Sequence, residues 1–149
     1  MIANTQSRIV NTKPEEAFVH VVIASLYDGK QVAALPKQEI LNYLRRKKFL
    51  NGIPLRELVD LSIVLCRDLG RREVIEQSVD FLDPKFKASL FVLTIDLILC
   101  NGHFDEREFE FMLELAAQLN VGIEESIRII DLICIKNYGN GNPHWSFEN

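Results

Sequence analysis

An all-α fold follows from three features of the sequence. Apolar residues recur at helical spacing in segment after segment, Asx-Gly, Gly and Pro punctuate the segments, and no stretch shows the two-residue alternation of a half-buried strand. The order of the segments predicts a single-domain bundle of about seven helices built from two similar three-helix halves, residues 14–68 and 85–137, joined by a linking helix at 72–82. Within this plan, residues 1–12 form a loose polar segment, 13–137 the helical domain, and 138–149 an irregular tail.

The first helix opens on Pro14-Glu15-Glu16, with proline in the first turn and acids at the positive end of the helix dipole. It runs through a nearly unbroken apolar stretch to Tyr27-Asp28-Gly29, so it should lie at the centre. A loop over 30–35 leads to Pro36, and residues 37 to about 49 carry Ile40, Leu41 and Leu44 at amphipathic spacing. The run Arg45-Arg46-Lys47-Lys48 closes this helix, either as an anionic-surface patch or as solvated cations complementing the helix C-terminus. Asn51-Gly52 makes a turn, a third helix follows over 53–68, and Gly70 breaks the chain before the linking helix, which ends at Asp83-Pro84. The second half is predicted as helices at 85–101, 106–119 and 124–137, with turns at Asn101-Gly102 and at Asn120 to Gly122.

The two halves correspond by position. Asp28 matches Asn101 at an offset of 73, Glu39 matches Glu108 at 69, and Val59-Asp60-Leu61 matches Ile130-Asp131-Leu132 at 71, which points to an internal duplication.

Composition bounds the function. At 149 residues and 17.1 kDa the chain can bury a sizeable core without disulfides or metals. A net charge of −4 argues against general nucleic-acid binding. Cys66, Cys100 and Cys134 lie in apolar runs with no Cys-x-x-Cys spacing and read as reduced core residues of a cytoplasmic protein. The start of the chain lacks a signal pattern, and the longest apolar stretch, 88–100, is too short to span a bilayer. The tail carries Trp145 and Phe147, which either fold back onto the body or form an exposed contact.

The chemistry concentrates between Asp96 and Glu108. Asn101-Gly102 is a helix stop, and Asp105 with Glu108 three residues on is a capping-box start. Capping leaves Asp96 unexplained: it sits between Ile95 and Leu97, where an isolated carboxylate would cost several kcal/mol unless paired, protonated or bound to a cation. Gly102 and Glu108 have the spacing of positions 6 and 12 of a calcium loop, but Leu97 and Leu99 stand at positions 1 and 3 and cannot ligate, so an EF-hand is excluded.

An apolar helix with an internal Asp, then Asn101-Gly102, Phe104, Asp105 and Glu108, with a second copy at Asp28-Gly29 and Glu39, resembles the TerB-like family associated with tellurite resistance and bacterial stress response. The resemblance spans residues 14–137. It implies a duplicated helical bundle without established enzymatic activity and with an acidic cluster thought to bind a metal: here Asp28, Glu39, Asp96 and Glu108, with Asn101, Asp105, His20 and His103 as secondary candidates. Asn101 stands where the family usually has Asp, which removes a charge.

Two readings result. In the first, the protein is a non-catalytic stress-response module holding a divalent cation on clustered carboxylates. Oxygen ligands favour calcium, magnesium or manganese, and a histidine contribution favours zinc. In the alternative it is a metal-free protein-interaction scaffold in which the acids are caps and Asp96 pairs with a base; a Lys or Arg beside Asp96 favours this reading, and Glu39 with Glu108 beside it favours the metal. No organic cofactor is expected. The expected partners are proteins, a homodimer among them, rather than nucleic acid or membrane. An enzyme is disfavoured because the Glu-x-x-His pairs of di-metal bundles do not occur.

Overall fold

Among residues 12–27, 36–100 and 105–138, which a computed structural model describes, there are seven α-helices and two 3-10 turns. The Asp28-Gly29 and Asn101-Gly102 turns, the loop at 30–35 and the tail with Trp145 and Phe147 lie outside the described residues. The protein is all-α, as predicted. No helix among the described residues is long and apolar enough to cross a membrane. The chain divides into two compact units, Met1–Pro84 and Lys85–Asn149.

In the first unit, α1 (Pro14–Leu26) is the central element: every residue from Ala17 to Leu26 is buried. A helix apolar on all sides can only be stable when surrounded, and α3 (Leu55–Leu69) and α4 (Arg71–Val79) both pack on it. The start of α1 is secured by Glu16, whose carboxylate accepts from the Lys13 N–H at 3.1 Å. The helix predicted as a link is α4, and it is a full member of this unit, with Val74, Ile75 and Ser78 buried and contacts to both α1 and α3.

Helix α2 (Lys37–Arg45) ends about a turn earlier than the amphipathic pattern predicts, and a 3-10 turn, Lys48–Leu50, follows. Packing explains the break. At about 100° per residue, an unbroken helix would carry Phe49 far round from Ile40, Leu41 and Leu44. By turning at Lys47 the chain instead buries Leu50 and sets Phe49 edge-on against Phe18 of α1, ring centres 4.9 Å apart.

A single residue, Gly70, separates α3 from α4. Its N–H closes α3 on the Cys66 carbonyl at 2.8 Å and its carbonyl opens α4 by accepting from the Val74 N–H at 3.1 Å.

The second unit contains α5 (Lys87–Leu99), α6 (Glu106–Gln118) and α7 (Ile123–Tyr138). Helix α5 buries eight of its 13 residues, again following an apolar run. Helix α6 ends with Asn120 at φ 60°, the Val121 N–H bonding the Ala116 carbonyl and the Asn120 N–H the Ala117 carbonyl. These are the paired bonds of a Schellman motif, with asparagine in the left-handed position that glycine usually takes. In each unit the third helix of the predicted half, α3 or α7, packs on both helices before it.

Candidate functional site

Asp96 is the fourth residue from the end of α5, between buried Ile95 and Leu97, and its side chain retains 16% exposure. Its carboxylate is met by the last turn of α7. The Lys136 ammonium donates to both Asp96 oxygens at 3.0 Å, and the Asn137 amide donates to Oδ1 at 3.1 Å. Lys136 also lies 3.4 Å from the Asn137 side-chain oxygen, so the three groups form one connected network. The lysine, 60% exposed, reaches in from solvent on its aliphatic stem while neutralising the acid that α5 holds against the core.

The other sequence-predicted residues are placed as follows. Asp105 caps α6: its carboxylate accepts from the Glu108 N–H at 2.9 Å while the Glu108 carboxylate accepts from the Asp105 N–H at 3.1 Å, the reciprocal capping box its spacing predicts. Glu39 is exposed in the first turn of α2, at the positive end of that helix. Asp28, Asn101 and His103 lie outside the described residues. Among the described residues, no group of three or more His, Cys, Asp or Glu side chains is placed to hold a metal ion.

A divalent ion bound through Asp96 would share its carboxylate with the Lys136 ammonium, and one bound through Glu108 would share its carboxylate with the Asp105 N–H.

His20 takes part in a buried polar pair of the first unit. Its Nδ1 lies 2.7 Å from the Ser62 hydroxyl, which can give its one hydrogen to the Leu58 carbonyl at 2.7 Å. With that hydrogen given to Leu58, Nδ1 is the donor in the Nδ1–H tautomer; with the hydroxyl turned to Nδ1 instead, the ring is the Nε2–H tautomer. Burial pushes the imidazole pKa below its ordinary 6.5, and the negative charge of Glu16 opposes the shift only in part.

A neutral buried histidine makes stability depend on pH. The unfolded chain takes up a proton near 6.5 and the folded chain only at lower pH, so the contribution is complete above 6.5 and is lost as pH falls through the lowered folded value. Urea denaturation at a series of pH values is expected to show stability falling as the pH is lowered below 6.5. His20→Gln is expected to flatten that slope; an unchanged slope would assign it to other groups.

Lys136, Asn137 and Ser62 are the functional neighbours that sequence reasoning did not name. The only signal for the first two was the unmet charge of Asp96 itself, since 40 residues separate it from Lys136. No protein-family model matches this chain, and neither a curated protein nor a solved structure matches it.

Proposed function

We propose that the protein is a non-catalytic, metal-free helical scaffold for protein–protein interaction. The observation that carries this reading is the neutralisation of Asp96, the one acid that capping does not explain, by Lys136 and Asn137. Asp105 and Glu108 have a sufficient structural role as a reciprocal cap. The surface gives further support. The third helix of each half exposes an apolar pair at the same spacing, Leu61 with Val64 on α3 and Leu132 with Ile135 on α7, each residue between 40% and 62% exposed. The pairs correspond at the offset of 71 that relates the two halves, and repeated apolar exposure is a common property of contact surfaces. Internal duplication and kinship with the TerB-like proteins, with a stress-response setting, belong to the same proposal and rest on helix order and motif spacing.

Thermal melts with saturating calcium, magnesium, manganese and zinc test the reading. The wild-type melting temperature is expected to stay unchanged with each. A cation at about a hundred times its dissociation constant would instead add about 2.7 kcal/mol, a rise on the order of 5–10 °C. Such a rise, if lost in Asp96→Asn, overturns the scaffold in favour of the cation module. Lys136→Met is expected to cost about 1–2 kcal/mol by leaving the Asp96 carboxylate short of donors.

A further inference from the structure

Between the end of α2 and the start of α3 lies an open cavity of about 510 Å³. Leu50, Ile53 and Leu55 supply apolar lining, and Arg45, Arg56 and Glu57 supply charge. The two arginines are exposed, and Arg46, Lys47 and Lys48 continue the positive surface from Arg45. Residues 37–57 carry six Lys or Arg against two Asp or Glu, in a chain that holds 17 against 21 overall. Positive charge is therefore locally in excess over this segment of an acidic protein.

Lys37 is paired with Asp60. Arg46 stacks over the Tyr43 ring at 5.0 Å, and Arg56 gives one N–H to Gln38 at 3.1 Å, which leaves the remaining donors of its guanidinium available. Arginine matches a carboxylate with two parallel N–H donors, and a recess of mixed polarity between two arginines accommodates a side chain flanked by acids. A flat bilayer would meet the cations without entering the recess, and the net charge of −4 opposes a long polyanion such as RNA.

We propose that this cavity binds an acidic segment of a protein partner, seating one apolar side chain at Ile53, over the buried Leu50 and Leu55, and pairing the flanking carboxylates with Arg45 and Arg56. The inference rests on the interaction reading above and names its site and the chemistry of its partner. Its failure is distinguishable from failure of that reading, which the cation melts decide.

The test uses fluorescence anisotropy of a short fluorescein-labelled peptide of glutamates around one central phenylalanine, titrated with the full chain. Binding is expected at low salt, weakening as the ionic strength passes about 0.1 M, where the Debye length falls to about 10 Å. Reversing both charges, Arg45→Glu with Arg56→Glu, is expected to weaken it by at least about tenfold. Arg67→Glu, an equal change per site near the far end of α3, is expected to leave it within about twofold. Replacing the peptide's phenylalanine with serine is expected to cost about tenfold. All three substituted arginines are exposed, and circular dichroism melts confirm that each variant folds. The proposal is overturned if the peptide does not bind, if the double reversal or the loss of phenylalanine leaves its affinity unchanged, or if phosphatidylserine vesicles or single-stranded RNA bind more tightly than the peptide.

Discussion

Phe18→Ala is expected to destabilise the protein by about 3–5 kcal/mol, the range for truncating a buried phenylalanine. Phe18 is 1% exposed on α1, the helix on which α3 and α4 of the first unit pack. The edge-on contact with Phe49 adds to the loss, because that ring is what draws the chain out of α2 and into the 3-10 turn. Urea denaturation followed by circular dichroism reads the effect directly. For a chain of this size the melting temperature should fall on the order of 10 °C. A loss below about 1 kcal/mol would mean that α1 is not the packing centre of its unit.

Gly70→Ala is the second large effect, at about 1–3 kcal/mol, with a different cause. Gly70 adopts φ 87° and ψ 149°, a conformation open to glycine and strained for any residue with a Cβ. Space is not the obstacle, since a Cβ built there meets no atom within 4 Å. The cost is backbone strain alone. It cannot relax locally, because the Gly70 N–H closes α3 while its carbonyl opens α4. Equilibrium denaturation is the measurement; a cost under about 0.5 kcal/mol would show that the α3–α4 junction adapts without losing those bonds.

Much of the architecture was legible because its determinants are local. Proline with two glutamates starts α1, Asn51-Gly52 and Gly70 punctuate the first unit, and Asp105 with Glu108 forms the cap that their spacing requires. The burial of α1 and α5 followed from their lack of a polar face. What was not legible depends on contacts between segments distant in sequence. Helix α2 stops early because Phe49 is needed against Phe18, and α4 is a packed member of its unit because α1 presents apolar surface on every side. At the candidate site, the burial of Asp96 signalled that it needed a partner. Local spacing could not choose between a cation and Lys136, because the lysine arrives from α7 only when the chain folds.

The cysteines give each unit its own internal clock. Cys66 is buried in the first unit, where burial pushes its thiol up to about 11 against the opposing pull of Arg71, and Cys134 is buried in the second. Alkylating reagents attack the thiolate, so a buried, protonated sulfur is shielded twice, by access and by ionisation. Modification then waits on opening of the surrounding helices, and its rate under mild conditions reports the free energy of that opening. Mass spectrometry of the peptides bearing Cys66 and Cys134 after a pulse of reagent would time the opening of each unit separately in the same sample, without an introduced label, with the part-exposed Cys100 as an internal reference for direct attack.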